Sequence, residues 1–229
     1  SSDGLCDINL NDLIKAHIKS NAIATIVTKE INKQDVYKYG VIVKDENNFV
    51  SKFQEKPKVE EALSRQINTG IYVFNKRIFD FIPELTFFDF AKNVFPILLK
   101  SNEKINTYNY KGYWTDIGTI DEYIKCNNDI FNKSINLNNV NILNLGNGKL
   151  ISDTNINNMP KSLEIEGNCI IGKNCKIGEN VKLKNVIIWD NVIIKSGVTL
   201  ENVVVGNDFN ICESFYNKIL ANKKELVTV

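Results

Sequence analysis

A repeat with a period of about six residues in the C-terminal part of the chain constrains the fold more than any other feature. Large apolar residues recur there at intervals of five or six positions, and the residue four positions after each of them is again apolar. The recurring residues are Ile165, Ile171, Ile177, Leu183, Ile188, Ile194, Leu200, Val205 and Ile211, and their partners are Cys169, Cys175, Val181, Ile187, Val192, Val198, Val204, Phe209 and Phe215. Such hexapeptide repeats are typical of a left-handed parallel β-helix, in which each repeat forms one flat side of a triangular coil. We therefore expect a β-helix over residues 150–215, with both members of each pair pointing inward.

Other residues of this region are interpreted on the same basis. Cys169 and Cys175 are expected to fill small inward positions and not to bind a metal. Trp189 follows a recurring residue and should lie on the outer surface, where a large aromatic side chain suggests a contact with the preceding domain or with a second chain. A solitary exposed aromatic residue is the alternative. Residues 216–229 leave the repeat, so we expect a tail that forms a short capping helix or begins a further segment.

The first 133 residues follow a mixed α/β pattern. Apolar residues three and four positions apart predict a helix from Leu10 to Ile18, capped by Asn9 or Asn11. Short β-branched runs predict strands, and a polar turn between two of them predicts a hairpin. The remaining expected elements are strands over 22–28 and 70–74, a hairpin over 41–53, and helices over 90–100 and 120–131. Residues 134–149, which are rich in asparagine, are expected to be a linker.

Composition excludes several classes of function. Lys and Arg number 28 against 27 Asp and Glu, so the net charge is +1 and no basic surplus favours nucleic acid. No apolar run approaches the ~20 residues that span a bilayer, and the first residues lack the features of a signal peptide. Five scattered cysteines without a C-x-x-C motif favour reduced, buried thiols. We therefore expect a cytoplasmic protein with no membrane or nucleic-acid partner, and we interpret its abundant asparagine as compositional drift.

Five short clusters in the first 133 residues combine polar side chains with glycine or proline in ways that packing does not explain. Taken singly, each is compatible with a solvated surface, and their order along the chain is more informative. The clusters are Ser2-Asp3-Gly4-Leu5-Cys6-Asp7, Tyr39-Gly40-Val41, Phe53-Gln54-Glu55-Lys56-Pro57, Ile67-Asn68-Thr69-Gly70-Ile71-Tyr72 and Gly112-Tyr113-Trp114-Thr115-Asp116-Ile117-Gly118-Thr119.

In this order, and ahead of a β-helix, these clusters resemble the sugar-1-phosphate nucleotidyltransferase family. The most specific elements are Glu55-Lys56-Pro57, Asn68-Thr69-Gly70 and the segment from Trp114 to Thr119. The resemblance covers nearly the whole chain and is strongest to mannose-1-phosphate guanylyltransferases and to long-form glucose-1-phosphate nucleotidyltransferases with a C-terminal hexapeptide domain. It implies part of a Rossmann-like α/β catalytic domain. It also implies transfer of a nucleotidyl group from an NTP to a sugar-1-phosphate, with GDP-mannose as the expected product and thymidylyl, uridylyl or adenylyl transfer to glucose-1-phosphate as alternatives.

The resemblance also assigns roles to individual residues. Asp3 and Asp116 match two aspartates that bind Mg²⁺, and two carboxylates are a chemically adequate set when phosphate oxygens and water complete the coordination. Lys56 matches a base that meets the sugar phosphate as a point charge. Asp3, Asp116 and Lys56 are therefore the expected catalytic residues. The expected substrate-binding residues are Gly40, Glu55, Lys56, Asn68 and Thr69, with Glu55 bonded to sugar hydroxyls.

The chain also departs from the family pattern. The glycine-rich G-x-G-T-R loop that grips the nucleotide phosphates has no match, so the resemblance predicts that the nucleotide-binding half lies upstream of Ser1 and that the isolated chain is inactive. NTP and sugar-1-phosphate are the expected partners of the enzyme, together with further copies of the chain in a homo-oligomer built through the β-helix.

Two other classes of function are weighed against this one. A non-catalytic relative would use the same pair of domains for assembly or regulation, but it would have no reason to keep the acidic and Glu-Lys-Pro positions. A hexapeptide acyltransferase would need a histidine on the surface of the coil. The only histidine is His17, which lies on the first predicted helix and is expected to face its own domain.

Overall fold

The computed structural model describes residues 3–135, 140–145 and 147–221, and it confirms a mixed α/β region followed by a parallel β-helix. The chain divides into two compact units, residues 1–122 and 123–229, which are described separately. The described residues contain no helix that is both long enough and apolar enough to cross a membrane.

The first unit is built on a five-stranded sheet. Its helices and strands are β1 (Gly4–Cys6), α1 (Leu10–Ser20), β2 (Ala24–Glu30), β3 (Gly40–Lys44), β4 (Val50–Glu55), β5 (Gln66–Phe74), α2 (Phe95–Lys100), β6 (Ile105–Asn109) and β7 (Trp114–Asp116). The main sheet has the strand order β4-β3-β5-β2-β6. In the described part of the chain, β1 and β7 form a separate two-stranded sheet.

The predicted elements of this unit are confirmed, with one difference. The Asn9 side chain caps α1 by accepting hydrogen bonds from two backbone amides of its first turn, and β3 and β4 pair as the expected antiparallel hairpin. The segment predicted as one helix over 90–100 forms a π-helical turn over Phe90–Val94 and then α2. Pro96 stands at the start of α2 and has no N–H to donate, which favours a break in the α-helical bonding there.

The second unit contains the stacked coils. Its elements are most of α3 (Ile120–Phe131), then β8 (Leu143–Leu145), β9 (Gly148–Ser152), β10 (Glu164–Ile171), β11 (Lys176–Ile177), β12 (Lys182–Lys184), β13 (Ile187–Ile188), β14 (Ile193–Ile194), β15 (Thr199–Val205), β16 (Asn210–Ile211) and β17 (Phe215–Leu220). Parallel pairing places Ile187 beside Ile170 and Val204 beside Ile187. Equivalent positions of the central coils are therefore seventeen residues apart, as in the hydrogen bond between Asn185 and Asn202.

The inward positions follow the repeat, with two exceptions. Eight of the nine recurring residues are buried, and Ile177 is partly buried. Cys169 and Cys175 fill inward positions, as predicted. Val186 and Val203 enter the core in place of the predicted Ile187 and Val204. The sides that contain Val186 and Val203 span five residues between recurring residues, whereas the other sides span six. Because side chains alternate between the two faces of a strand, the second inward position on these shorter sides lies one residue earlier.

Asparagine has a structural role in this unit, so the interpretation as compositional drift is wrong for part of the set. Asparagines with a left-handed backbone recur at the corners of the coils, a conformation that asparagine tolerates better than most residues. Their side chains also form ladders, since the Asn185 amide donates to Asn202 and the Asn202 amide donates to Asn217 at 3.2 and 2.9 Å. The corner asparagines with φ of 52–60° are Asn174, Asn180, Asn185, Asn191, Asn202 and Asn217.

The structure differs from the expected boundaries at three places. The division between the units falls at residue 122 instead of 133, because Tyr123 and Asn128 of α3 bond to residues of the β-helix. The expected linker over 134–149 contains β8, which pairs with β9. The expected tail begins with β17, which pairs with β15 and continues the stack to Leu220. The remainder of these two segments, residues 136–139, 146 and 222–229, lies outside the described residues.

Candidate active site

The small sheet formed by β1 and β7 brings Asp3 and Asp116 together. The antiparallel register pairs Gly4 with Asp116, so Asp3 lies one residue beyond the end of the ladder. The backbone N–H of Ile117 donates to the Asp3 carbonyl oxygen at 2.8 Å and closes this end of the sheet. Two carboxylates more than a hundred positions apart in sequence are thereby placed side by side.

The charges around Asp116 favour a cation. Partial burial raises the pKa of the Asp116 carboxyl, and the negative charges of Asp3 and Glu122 raise the pKa further. A hydrogen bond between the Asp116 and Asp3 side chains acts in the same direction. Carboxylates this close repel each other when ionised, and a bound divalent cation relieves that repulsion.

Two carboxylates are a chemically adequate protein donor set for Mg²⁺ when other oxygen ligands complete its coordination. Among the described residues, no group of three or more His, Cys, Asp or Glu side chains is arranged to hold a metal ion. Glu122 is engaged locally at the start of α3. Its backbone N–H donates to the Thr119 hydroxyl oxygen at 3.2 Å, and its carboxylate accepts a hydrogen bond from that hydroxyl at 3.1 Å. Asp3 and Asp116 would then be the two protein ligands of such an ion, and they would leave positions for phosphate oxygens and water, as Mg²⁺ prefers.

Tyr39 connects this pair of carboxylates with the strand that carries Gly40. Its ring packs edge-to-face on Trp114 of β7, with ring centroids 5.6 Å apart. Burial raises the pKa of the Tyr39 hydroxyl, and the charges of Asp116 and Glu122 raise it further. Gly40 is the next residue along the chain and begins β3.

Gly40 and Glu55 face each other across the β3–β4 hairpin. They are register partners, and a Cβ atom at position 40 would lie 2.7 Å from the Phe53 ring and 3.3 Å from Glu55 Oε2. Only glycine leaves this space open. Lys56 follows with a left-handed backbone, φ 44°, and Glu55 and Lys56 are both exposed while Pro57 is buried. The hairpin thus ends in an acid and a base that are open to solvent.

Asn68 lies at an irregularity in β5. The pairing of β5 with β2 shifts between Tyr72 and Asn68, and Gly70 in this interval has a left-handed backbone with φ 76°. The Asn68 side chain accepts a hydrogen bond from the Gly70 N–H at 3.0 Å and donates one to the Tyr72 hydroxyl at 2.9 Å. The bulge therefore determines where the Asn68 amide lies.

The structure gives Thr69 a different role from the one expected. Its side chain is 2% exposed, and its hydroxyl donates to the Val27 carbonyl oxygen at 2.8 Å. The side chain therefore joins β5 to β2 inside the sheet. The role of Thr69 in substrate binding stays a prediction.

Tyr72 is a residue that sequence reasoning missed. Burial raises the pKa of its hydroxyl most strongly, the hydrogen bond from Asn68 lowers it, and the charges of Asp89 and Glu55 raise it. The hydroxyl of Tyr72 therefore responds electrostatically to Glu55. Tyr72 was included in a polar cluster of the sequence, but the bulge that brings its hydroxyl to Asn68 could not be inferred from spacing.

Comparison with known proteins adds independent information. Residues 1–133 match the family model described as nucleotidyl transferase. A UTP–glucose-1-phosphate uridylyltransferase of Synechocystis sp. is 40% identical over 133 residues, which are 58% of this chain and 34% of that protein. A glucose-1-phosphate adenylyltransferase of Mycoplasma mobile is 33% identical over 143 residues, or 60% of this chain and 37% of that protein.

A glucose-1-phosphate adenylyltransferase of Clostridium acetobutylicum is 32% identical over 144 residues, which are 60% of this chain and 37% of that protein. The chain therefore spans about a third of the length of the curated relatives it matches.

Proposed function

Because the chain belongs to the nucleotidyl transferase family, we propose that it provides the metal-binding and sugar-phosphate-binding part of a sugar-1-phosphate nucleotidyltransferase. The observation that carries the proposal is the pairing of β1 with β7, which sets Asp3 beside Asp116. Carboxylates brought together in this way are the ligands that phosphoryl-transfer sites use for Mg²⁺.

The chemistry assigned to each residue follows from its position. An oxygen of the sugar phosphate attacks the α-phosphorus of the nucleotide, and pyrophosphate leaves. When bound by Asp3 and Asp116, Mg²⁺ supplies positive charge that stabilises the negative charge of the transferring phosphate. Glu55 accepts hydrogen bonds from sugar hydroxyls, and Lys56 provides a positive charge for the sugar phosphate. The absence of a side chain at Gly40 leaves room for the sugar beside Glu55.

We propose glucose-1-phosphate as the sugar substrate. The similar proteins described above are named for glucose-1-phosphate, and they differ in the nucleotide that they use. The resemblance alone favoured mannose-1-phosphate, and the test below therefore compares the binding of both sugar phosphates. Self-association through the β-helix, with sedimentation over the micromolar range as its measurement, stays a prediction.

The metal assignment is tested by calorimetry on this chain, with Mn²⁺ as the probe for the Mg²⁺ site. We expect Asp116→Asn to weaken Mn²⁺ binding by at least about tenfold, since it removes a charged ligand while keeping the size of the side chain. The control is Asp80→Asn, at an exposed position of the same unit. Equal affinity of Asp116→Asn and wild type would show that the metal does not bind at this pair.

The substrate assignment is tested by titrating glucose-1-phosphate and mannose-1-phosphate in the presence of Mn²⁺. We expect Glu55→Gln to weaken the binding of glucose-1-phosphate, because a neutral amide accepts hydrogen bonds from hydroxyls less strongly than a carboxylate. Tighter binding of mannose-1-phosphate than of glucose-1-phosphate would contradict the choice of sugar.

The metal pair is also tested in a polypeptide that contains this chain and turns over substrate. There, the rate of pyrophosphate release should collapse in Asp116→Asn.

A further inference from the structure

The sheet that carries both carboxylates is unusually short. β1 and β7 share three residue pairs, and in the described part of the chain they pair with each other and not with the main sheet. A two-stranded sheet of this kind is marginally stable by itself. Additional contacts must therefore hold Asp3 and Asp116 at a fixed separation.

Asp7 extends the small sheet at the end opposite to Asp3. Its Oδ1 atom accepts a hydrogen bond from the backbone N–H of Tyr113 at 3.0 Å and another from the Tyr110 hydroxyl. Asp7 follows β1 directly, and Tyr113 immediately precedes β7. These bonds therefore continue the pairing of the two strands and join them to the loop over 110–113.

Lys29 connects this loop to the main sheet. It lies on β2, and its Nζ atom donates to the Gly112 carbonyl oxygen at 2.5 Å. The same ammonium group lies 5.7 Å from the centre of the Tyr110 ring. Burial lowers the pKa of Lys29, and the negative charge of Asp7 raises it in opposition. The lysine therefore interacts with the carbonyl, the ring and the carboxylate of one cluster.

From these contacts we propose that Asp7, Tyr110 and Lys29 are positioning residues that hold β1 and β7 in register and so fix the separation of Asp3 and Asp116. None of the three is assigned to the substrate or the metal. Asp7 bonds the strands to each other, and Lys29 bonds the loop to β2. The part that concerns the metal rests on the proposed function, whereas the part that concerns the strands does not.

The proposal that these residues hold β1 and β7 together is tested by hydrogen exchange of the full chain. The exchange rates of residues 112–117 are compared with those of β5. We expect Asp7→Ala and Lys29→Met to increase the exchange rate of residues 112–117 by about tenfold, the effect of losing one charged hydrogen bond, and to leave β5 unchanged. Tyr110→Phe should have a smaller effect, since it keeps the bond from Tyr113 to Asp7. The matched controls are Asp80→Ala and Lys52→Met, at exposed positions.

The proposed effect of this cluster on the metal site is tested by measuring the Mn²⁺ affinity of the same variants. Loss of a residue that orients a metal ligand costs about tenfold or more in affinity, so we expect this reduction in Asp7→Ala and Lys29→Met. Lys29→Arg keeps a charged donor and should restore most of the affinity, as should Asp7→Asn, which keeps one acceptor oxygen. A residue that merely stabilises the fold would lower the melting temperature without this pattern of rescue.

The outcomes separate the two proposals. Unchanged exchange of residues 112–117 in Asp7→Ala and Lys29→Met would overturn the positioning role. Faster exchange with unchanged Mn²⁺ affinity would overturn the link between this cluster and the metal. A wild-type chain that binds Mn²⁺ independently of Asp116 would overturn the metal site itself, while the exchange rates would still decide whether these residues hold the strands.

Discussion

At the scale of single residues, the buried histidine shows how burial favours one protonation state. His17 is 8% exposed, and its Nδ1 lies 2.8 Å from the Thr25 hydroxyl oxygen. That oxygen already accepts a hydrogen bond from the Asn106 amide at 3.3 Å. The Thr25 hydroxyl can donate to Nδ1 only when that nitrogen carries no proton, so this contact is compatible with a neutral imidazole. Burial lowers the pKa of His17 in agreement with this arrangement.

This arrangement predicts that stability falls as the solution becomes acidic. The pKa of His17 is lower in the folded chain than its ordinary value of about 6.5. The neutral, buried His17 therefore contributes its full stabilisation above about pH 6.5. This contribution is lost as the pH falls toward the pKa of the folded chain, because the unfolded chain takes up the proton first. Denaturant unfolding between pH 7.5 and pH 5 measures the effect, which we expect to be on the order of 1 kcal/mol.

The variant His17→Gln supplies the comparison. It cannot take up a proton, so its free energy of unfolding should change less than that of wild type over this range. Parallel pH profiles for His17→Gln and wild type would show that another group is responsible.

At the scale of elements, α3 is attached to the β-helix by its aromatic and amide side chains. The Trp189 indole N–H donates to the Tyr123 hydroxyl at 2.9 Å, with ring centroids 6.3 Å apart. The Asn168 amide donates to Asn128 at 3.0 Å. The contact that the exposed position of Trp189 suggested therefore exists within one unit, and its partner is the helix that precedes the coils.

We predict that Tyr123 and Trp189 are energetically coupled. Tyr123→Phe should lower the free energy of unfolding by about 1 kcal/mol, the typical value of such a hydrogen bond. In a double-mutant cycle with Trp189→Phe, the second substitution should cost less when the first is present. The control is Tyr216→Phe, at a tyrosine that is 52% exposed. Additive effects of the two substitutions would mean that the bond contributes nothing to stability.

The elements also show what could be predicted from the sequence and what could not. The coils were predictable because their inward residues repeat at short, fixed intervals, and α1 because Asn9 precedes a helical apolar pattern. A constant offset of four residues does not predict Val186 in place of Ile187, because the side from Leu183 to Ile188 is one residue shorter and the offset shortens with it. The continuation through β17 could not be predicted in the same way, because the last coil is shorter than the others. Its residues lie fifteen positions after their partners in β15, as in the bond between Asn202 and Asn217, whereas the spacing in the central coils is seventeen.

The candidate site was predictable to a similar extent. Asp3 and Asp116 were found by resemblance, and their contact depends on β1 and β7, whose three-residue length gives no periodic signal. Thr69 shared a motif with Asn68, but a motif does not show which of two adjacent side chains enters the sheet. The contacts of Lys29 join residues more than eighty positions apart, so they are set by tertiary structure alone.

At the scale of the whole molecule, the residues that the structure describes form two separate hydrophobic cores. One contains Ile26, Ile42 and Phe95 of the first unit, and the other contains Leu183 and Leu200 among the inward residues of the coils. No buried residue described here belongs to both clusters. Each core can therefore lose its packing without direct loss of apolar contacts in the other.

We predict two unfolding transitions that respond to different substitutions. Leu183→Ala should lower the free energy of unfolding of the β-helix by about 2–5 kcal/mol, the usual cost of such a cavity. Leu98→Ala should lower the free energy of unfolding of the first unit instead. Differential scanning calorimetry, together with tryptophan fluorescence of Trp114 and Trp189, distinguishes the transitions. A single transition that shifts equally in both variants would show that the units unfold as one.

The seventeen-residue spacing of the coils also limits which changes in length the gene can tolerate. Removing one complete coil returns each later residue to an equivalent position, so that asparagine still meets asparagine at the corners and apolar residues still face inward. Removing a few residues shifts all later positions out of phase, and corner residues then fall on flat sides. Repeats of this kind are free to grow or shrink only in whole units, much as a reading frame tolerates only multiples of a codon.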